Sequence, residues 1–430
     1  KRIESKMMDK ISNFLLPIAE KLSKNRYLSA IRDGYIAIMP LVITASLFTL
    51  INSVLIGEGN YLDQWFGTPF SDFSQLGSVI SSASMSIMTV LLVFTTAKAL
   101  ASQYKMDTSI AGATALVCFL CLTPFVADAT LGEYVTTYYL GAAAMFTGFI
   151  SALLSVELFR FLMGFKALII KMPDSVPTGI ARSLNSIVPV ALTVIIFGIA
   201  RIITDALGAP LNDLIFNWIQ TPFTNIVSSP IGLVIIYALY MLIWGFGIHS
   251  AYIFNPILEP IYLASLTANV QAISSGVEPA AIITKPFLDS VAFMGGAGNM
   301  LALVLAIFIV SRRKDYRTIA KLGFVPALFN ISEPLMFGLP VVMNPILIIP
   351  MIVSTLVGLG IGSLATSIGV MAYTYVQTPW TTPPVLGAFL ATGGDVLSGI
   401  VALVILVLSV IIYIPFVKVM NNTKEETSEE

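Results

Sequence analysis

Charged residues are scarce in this chain. Only 11% of its 430 residues are Asp, Glu, Lys or Arg, and 57% are hydrophobic, whereas about 25% of the residues in a soluble globular protein are charged. An ordinary soluble protein is therefore excluded, and the composition indicates an integral membrane protein. At about 20 apolar residues per crossing, the length accommodates about 8 to 12 transmembrane helices. A single-span receptor or a peripheral enzyme does not fit.

Cysteine and histidine are also rare. The chain has two cysteines, one histidine and a net charge of −1, and this near neutrality excludes a strongly basic nucleic-acid binder. Cys118 and Cys121 share one face of an apolar stretch, where small packing residues are favoured over a disulfide or a metal site. The sequence has no Walker A pattern, no GxSxG elbow and no metal-spaced His/Cys/Asp cluster. We expect no metal, no cofactor and no ATP hydrolysis.

Residues 1–210 show a regular pattern. Residues 7–22 place apolar side chains at helical spacing and predict an interfacial amphipathic helix rather than a signal peptide, because an uninterrupted apolar core and a cleavage site are lacking. Five simple spans follow, at 34–56, 79–101, 109–127, 138–163 and 187–207. Lys and Arg fill alternate loops, beginning with the N-terminus, which predicts a cytoplasmic N-terminus. This half is predicted to be a scaffold.

Residues 211–420 are less regular. Apolar spans lie at 231–248, 291–310, 346–370 and 396–417, separated by apolar segments rich in Pro and Gly, notably 254–263 and 324–350. Non-helical backbone in a membrane is tolerated only where protein buries it or where it lines a watery cavity. These segments are therefore predicted to be broken helices or re-entrant hairpins on the substrate path. Residues 250–285 either re-enter or cross once more, and 421–430 form a disordered acidic tail.

One tetrapeptide occurs twice in this second half. The letters Asn-Pro-Ile-Leu begin at Asn255 and again at Asn344, each time downstream of an ionisable residue. Internal repeats are common in transporters, but four letters can also recur by chance. Both interpretations stay open.

Glu333 is the sharpest candidate for a functional residue. It lies in Asn330-Ile331-Ser332-Glu333-Pro334, about ten residues from any other charge, and ionisable groups inside apolar segments are costly. Pro334 disfavours α geometry in the preceding residues, so the carboxylate lies where backbone groups are released. The alternative is a structural carboxylate that caps a broken helix or pairs with a cation. Substrate binding is the stronger interpretation.

His249, the chain's single histidine, is the second candidate. It follows Trp244-Gly245-Phe246-Gly247 and precedes Tyr252. Ring faces beside hydrogen-bonding groups are typical of sugar sites, because a pyranose has an apolar C–H face and a polar edge. A satisfied core histidine is the alternative.

Further candidates are weaker one by one. They are four amides and two tryptophans on Pro- or Gly-rich segments: Trp244, Asn255, Asn299, Asn330, Gln377 and Trp380. Trp380 is either a sugar-stacking ring or an interfacial anchor. Glu259 and Asp289 are predicted nearer helix ends, and the cavity is expected to hold amides, hydroxyls and one carboxylate. Such a lining suits a neutral polyhydroxyl solute rather than an anion.

The segments around His249 and Ile331-Ser332-Glu333-Pro334, with the basic-flanked amphipathic N-terminus, resemble the membrane-embedded IIC component of bacterial phosphotransferase-system sugar transporters. Within it, the chain is most similar to the lactose, cellobiose and diacetylchitobiose family, especially its diacetylchitobiose branch. This resemblance covers essentially the whole chain. It implies an all-α polytopic protein with about ten transmembrane helices, two re-entrant hairpins and amphipathic interfacial helices.

The resemblance also implies a function. The first five helices would form a homodimer interface, and the second half a pocket for a disaccharide that enters from outside. A separate IIB protein would phosphorylate the sugar from its phosphocysteine at the cytoplasmic face, since no IIB-like segment or phosphorylated residue is expected in this chain. Glu333 and His249 would hold the reacting hydroxyl, with Glu333 as the base and His249 as the orienting donor.

Other functions remain open at the level of sequence. The main rival is a proton-coupled sugar symporter in which Glu333 and His249 relay protons. A membrane enzyme or a lipid-linked glycan flippase is disfavoured, because metal motifs and large polar loops are lacking. Periodicity does not specify the disaccharide, the resting conformation, or whether the second half moves as a rigid body or by local gating.

Overall fold

The computed structural model describes residues 17, 21, 24–56, 74–128, 130, 132–170, 172–173, 176–339 and 341–421. The predicted amphipathic helix at 7–22 lies almost wholly outside these residues, and so does the predicted acidic tail, apart from Asn421. In the described residues, the regular secondary structure is helical apart from one two-stranded hairpin. It is an all-α polytopic membrane protein, as predicted.

The described residues of the first half contain seven α-helices, of which α3 is central and packs on α1, α4 and α5. They are α1 (Arg26–Leu50), α2 (Ser74–Ser84), α3 (Met88–Gln103), α4 (Thr108–Leu122), α5 (Met145–Met163), α6 (Thr178–Asn185) and α7 (Ile187–Ala206). A π turn (Ile51–Ile56) extends α1, and 3₁₀ turns lie at Thr137–Tyr139, Ala142–Ala144 and Lys166–Leu168. Strands β1 (Val126–Asp128) and β2 (Gly132–Tyr134) pair antiparallel after α4. Side chains cap two of the helices: Asn25 accepts from the first turn of α1, and Asp107 from that of α4.

The predicted single span at 79–101 is wrong in one respect, because α2 and α3 are separate helices bent by 42°. The break frees backbone groups at the start of α3, and a neighbouring segment satisfies them. The Thr89 N–H donates to the Leu140 carbonyl at 2.9 Å, and the Thr89 hydroxyl donates to the Gly141 carbonyl at 2.6 Å. The same segment holds the 3₁₀ turns, so α5 begins at Met145 rather than at residue 138.

The second half contains eleven α-helices of very different lengths. They are α8 (Leu211–Ile215), α9 (Thr221–Ser228), α10 (Pro230–Gly245), α11 (Ala251–Ser274), α12 (Lys285–Val291), α13 (Met300–Val310), α14 (Lys314–Leu328), α15 (Glu333–Gly338), α16 (Pro345–Ser367), α17 (Pro384–Ala391) and α18 (Val396–Met420). A π turn (Phe216–Gln220) joins α8 to α9. Helices α13 and α16 pack on α18, and the short helices α12 and α17 pack on each other.

The predicted break at 254–263 is also wrong, because these residues lie inside the continuous helix α11 with both Pro256 and Pro260. Proline removes a backbone donor and usually kinks a helix. Here the two prolines are four residues apart, so the lost hydrogen bonds fall on one side of the helix. The Asn255 amide also bridges to the Glu259 carboxylate, one turn on, at 2.9 Å. In contrast, residues 324–350 are broken as predicted, into α14, α15 and α16.

The predicted span at 291–310 begins late. Its first residues form a turn in which Gly295, Gly296 and Gly298 have positive φ and Asn299 is left-handed, so α13 starts at Met300. Only glycine adopts such angles without strain. A similar succession recurs after α16: an extended segment, the short helix α17 with proline in its first turn, Gly393 and Gly394 with positive φ, and the long helix α18. This recurrence favours the internal repeat over chance.

Five helices are long and apolar enough to cross a membrane, and two bent pairs can each form one more crossing. Helices α4 and α13 are shorter and apolar, while α11 is long but carries Asn255, Glu259 and Asn269. By length and composition the described residues thus give five to seven crossings; the ten that the resemblance implies would require α4, α11 and α13 as well.

The two halves meet where α1 packs on α11. Tyr35, Ile38 and Val42 of α1 share one buried cluster with Leu263, Leu266 and Val270 of α11. Helix α1 therefore presents one face to the rest of the first half and another to the second half. This joint borders the cavity described next.

Candidate functional site

A cavity of about 340 Å³ lies between the two halves. One wall is α1, with Arg32, Ile36, Met39 and Ile43. The other walls come from α10, α11, α12 and the non-helical segments around residues 249, 296, 332 and 378. Non-helical backbone thus lines part of the cavity, as the Pro and Gly pattern predicted for 324–350 but not for 254–263.

Seven of the eight predicted site residues line this cavity. They are Trp244, His249, Asn255, Asn330, Glu333, Gln377 and Trp380. The eighth, Asn299, is fully buried outside the cavity. Its side chain accepts from the Met294 N–H at 2.9 Å and donates to the Ser409 hydroxyl at 3.3 Å. With these two hydrogen bonds, Asn299 stabilises the glycine turn before α13.

His249 is held between two aromatic rings. Helix α10 ends at Gly245 and α11 begins at Ala251, and Gly247 turns the chain between them with φ +84°. The His249 ring lies 4.8 Å from the Trp244 ring and 4.8 Å from the Tyr252 ring, centroid to centroid. The histidine is thereby fixed in orientation, with 36% of its side chain exposed.

Glu333 comes from a second break and meets His249. It is the first residue of α15, and its Oε1 lies 3.4 Å from the His249 Nε2. An N–H···O hydrogen bond is usually 2.7–3.2 Å long, so the two groups are adjacent yet keep capacity for a third partner. Because 45% of the Glu333 side chain is exposed, both groups are accessible from the cavity.

Asn330 fixes the Glu333 segment. Its backbone has φ +61°, and its Oδ1 accepts from the Gly295 N–H at 2.8 Å. Its Nδ2 donates to the carbonyls of Trp380 and Thr382 at 2.7 and 2.9 Å. The oxygen and both N–H groups of the amide are therefore engaged. Asn330 links its own segment, which leads to Glu333, to the glycine turn and to the loop before α17.

The cavity lining contains charged residues that the sequence interpretation placed elsewhere. Glu259 lies in the middle of α11 rather than near a helix end, and it accepts from Asn255. Lys285 and Asp289 form an ion pair one turn apart on α12, and both are largely buried. The expected single carboxylate was therefore an underestimate: the cavity contains Glu259, Asp289 and Glu333, with Lys285 and Arg32 as cations.

Sequence reasoning also missed the aromatic wall. The Tyr237 hydroxyl donates a hydrogen bond to the Tyr262 hydroxyl at 2.9 Å. The rings of Tyr240 and Phe293 pack beside them, with their centroids 5.5 Å apart. The tyrosines lie on α10 and α11, so their helical spacing resembled ordinary core packing. For the charged residues of the cavity lining, the one available sequence signal was the spacing of Lys285 and Asp289, because residues four apart share a helix face.

Gln377 and Trp380 lie on the loop before α17. The Gln377 Nε2 donates to the Thr378 carbonyl at 3.1 Å, while its buried Oε1 has no hydrogen-bond partner among the described residues. Trp380 is 53% exposed at the cavity edge. The amide thus has an acceptor available, and the indole presents an open ring face. Within the described part of the chain, no three His, Cys, Asp or Glu side chains are grouped to hold a metal ion.

The chain matches known proteins over nearly its whole length. The family model "Phosphotransferase system, EIIC" matches residues 32–355. The oligo-beta-mannoside-specific EIIC component of Bacillus subtilis is 34% identical over 96% of this chain and 94% of its own length. The cellobiose-specific EIIC component of Geobacillus stearothermophilus is 32% identical over 97% and 94%.

A solved structure is also similar. The transporter ChbC, the IIC component from the N,N'-diacetylchitobiose-specific phosphotransferase system, superposes with a TM-score of 0.87 at 32% identity, covering 96% of this chain and 97% of that one. The fold, the cavity between its halves and these matches agree with the family that the sequence resembles. This chain is a multi-pass bacterial membrane protein of the phosphotransferase-system EIIC family.

Proposed function

We propose that this chain takes up a disaccharide of the diacetylchitobiose or cellobiose type from outside and presents it at the cytoplasmic face for phosphorylation by a separate IIB protein. One observation carries the proposal: His249 and Glu333 come from two separate chain breaks and lie 3.4 Å apart at the cavity surface. A carboxylate beside an oriented imidazole is suited to bind a hydroxyl that must lose its proton.

The cavity lining suits a sugar. Trp244, Tyr252 and Trp380 offer ring faces, and amides and carboxylates lie beside them. The volume of about 340 Å³ is within the range of about 300–1,000 Å³ for small-molecule sites. An anionic substrate is a poorer fit, because three carboxylates, Glu259, Asp289 and Glu333, outnumber the two cations in the cavity lining. The similar proteins are named for oligo-beta-mannoside, cellobiose and N,N'-diacetylchitobiose.

The proposed reaction is a phosphoryl transfer. The sugar hydroxyl attacks the phosphorus of phosphocysteine on IIB, an O–P bond forms, the S–P bond breaks, and the thiolate leaves on IIB. Glu333 accepts the hydroxyl proton, and His249 orients the oxygen through Nε2–H. Phosphoryl transfer gains mainly from positioning and from stabilising charge. The rings that hold His249 therefore contribute to the proposed step.

The charge pattern supports the proposed direction of presentation. Arg26 and Arg160 both lie over the Tyr104 ring, at 4.9 and 4.5 Å, so the start of α1 and the end of α5 share one side. Under the positive-inside rule this side is cytoplasmic. Arg32 is six residues further along α1, about 9 Å from Arg26 along the axis, and it borders the cavity next to Tyr252. A cytoplasmic IIB is thus proposed to approach the His249 end of the cavity.

The proposed assembly is a homodimer formed through the first five membrane crossings. Helix α7 is compatible with such an interface, because Ile195, Ile199 and Ile202 are exposed on it. In the bilayer this apolar face contacts lipid or a second copy. Cross-linking in native membranes distinguishes these two environments.

The proposal is tested with Glu333→Gln, which keeps the shape of the side chain and removes the base. With phosphorylated IIB and cellobiose or N,N'-diacetylchitobiose, phosphosugar formation is expected to fall by about 10²–10⁴-fold. Sugar binding, measured by calorimetry, should be largely retained. Glu133→Gln on the exposed hairpin is the matched control and should behave as the wild type.

Proteoliposome uptake separates this function from the symporter alternative. The permease alone should only equilibrate the sugar across the membrane, with or without a proton gradient. Accumulation of unmodified sugar under an imposed gradient would instead establish the symporter. Wild-type phosphorylation by the Glu333→Gln variant would refute the role of Glu333.

A further inference from the structure

Arg32 reaches the sugar cavity from the other half of the molecule. It lies on α1, and its guanidinium is 5.2 Å from the centre of the Tyr252 ring. The same ring lies 4.8 Å from His249. Tyr252 therefore contacts both groups and keeps the Arg32 charge close to the His249–Glu333 pair.

The hydrogen bonds of Arg32 leave donors available. Its Nη2 donates to the Asp33 Oδ1 at 2.8 Å and to the Ser29 hydroxyl at 3.1 Å, and its Nε donates to the same Asp33 oxygen at 3.0 Å. No described residue accepts from Nη1. The Asp33 side chain is 45% exposed, so solvent weakens its attraction for Arg32. In contrast, Lys285 is largely buried and paired with Asp289.

We propose that Arg32 binds the phosphoryl group while it passes from the IIB cysteine to the sugar hydroxyl. This inference rests on the proposed function. As the S–P bond breaks and the O–P bond forms, negative charge is spread over the phosphoryl oxygens, and the guanidinium donates to them. Arginine suits this role, because its planar donor group matches the geometry of phosphate oxygens.

The position of Arg32 agrees with the direction of transfer. It is the seventh residue of α1, close to the end that carries Arg26, and it borders the cavity. A donor that enters from the cytoplasm thus meets Arg32 beside the sugar site. The sugar itself is neutral, so Arg32 contributes to the transfer step rather than to sugar affinity.

The test compares Arg32→Gln and Arg32→Lys with Arg26→Gln, a loss of the same charge on the same helix but outside the cavity lining. Three quantities are measured: calorimetric binding of N,N'-diacetylchitobiose and cellobiose, their equilibration into proteoliposomes, and phosphosugar formation at varied concentrations of phosphorylated IIB. Removal of one transition-state donor typically reduces kcat by about 10²–10³-fold. We expect that loss for Arg32→Gln, with sugar binding and equilibration within about twofold of wild type.

Arg32→Lys keeps the charge but not the planar guanidinium donors, so it should recover part of the wild-type kcat. Arg26→Gln should retain the full wild-type kcat. Phosphorylation by Arg32→Gln within threefold of wild type would overturn the inference. So would an equal loss of sugar binding, or a raised KM for IIB at unchanged kcat, since these indicate a structural or a docking role. Failure of the proposed function is seen separately, because wild-type protein would then form no phosphosugar.

Discussion

Asn330 shows how a single side chain stabilises the geometry of the site. Its amide bonds the glycine turn at Gly295 and two carbonyls of the loop that carries Trp380. Each buried group that loses its partner costs about 1–3 kcal/mol. The position of Glu333 thus depends on a residue that need not touch the sugar.

This dependence predicts different outcomes for two asparagine substitutions. Asn330→Ala should lower the thermal midpoint and weaken disaccharide binding by at least tenfold, because the loops around Glu333 separate. Asn299→Ala should also lower the midpoint, since Asn299 is buried and bonds Met294 and Ser409. Its effect on the affinity of the folded protein should be smaller than that of Asn330→Ala, because Asn299 does not bond the segment that carries Glu333. Calorimetry and thermal unfolding check both; equal losses of affinity would contradict the prediction.

At the residue scale, the sequence identifies ionisable residues that have no charged neighbours along the chain. Glu333 and His249 stand alone in apolar segments, and both line the cavity. Arg32 lies beside Asp33 among N-terminal charges that mark topology, and Glu259 lies between prolines that suggested a break. Their position in the cavity depends on the packing of α1 on α11, which no local pattern specifies.

At the scale of elements, the glycine turn before α13 determines how closely the loops approach. Gly296 has φ +88°, and a Cβ there would lie 2.7 Å from the Ser332 Cβ and 2.8 Å from the Asn330 carbonyl oxygen. Any side chain at this position displaces the segment that leads to Glu333. The turn and the Glu333 break therefore form one structural unit.

Gly296→Ala should consequently abolish measurable sugar binding. Gly276→Ala is its control, because Gly276 also has a positive φ of +68° but has open space around its Cβ position. The strain of a left-handed alanine, about 1–2 kcal/mol, is common to both variants. The control should lose some stability and retain affinity. Normal sugar binding by Gly296→Ala would show that the close approach is not required.

Helix breaks were only partly predictable from proline. Residues 324–350 break as their prolines suggested, whereas α11 continues through Pro256 and Pro260. In α11 the Asn255 amide bonds the Glu259 carboxylate one turn on, across Pro256, and the proline pattern does not specify that contact. A break without proline, between α2 and α3, is stabilised by Leu140 and Gly141, which are distant in sequence.

At the scale of the whole molecule, the ends of the long helices cluster by side. Asn421, after α18, accepts from the Arg312 N–H at 3.0 Å and donates to the Val310 carbonyl at 3.0 Å. The end of α18 and the basic segment after α13 therefore share one face. The apolar spans and the basic segment between them were predictable from the sequence. The joint between the halves was not.

The proposed orientation predicts which loops face outward. In a chain whose Cys118 and Cys121 are replaced by serine, Glu133→Cys on the hairpin should react with a membrane-impermeant maleimide in intact cells. Arg313→Cys should react only after permeabilisation, because the basic segment is proposed to be cytoplasmic. Labelling is measured by mass shift. The reverse pattern would contradict a cytoplasmic N-terminus.

The central claim is that Glu333 and His249 hold one sugar hydroxyl in the cavity between the halves. A structure with bound N,N'-diacetylchitobiose or cellobiose tests it most directly. The account predicts one hydroxyl oxygen within about 2.6–3.2 Å of both the Glu333 carboxylate and the His249 Nε2. A disaccharide bound elsewhere, or bound in the cavity with neither side chain in contact with a hydroxyl, would contradict it.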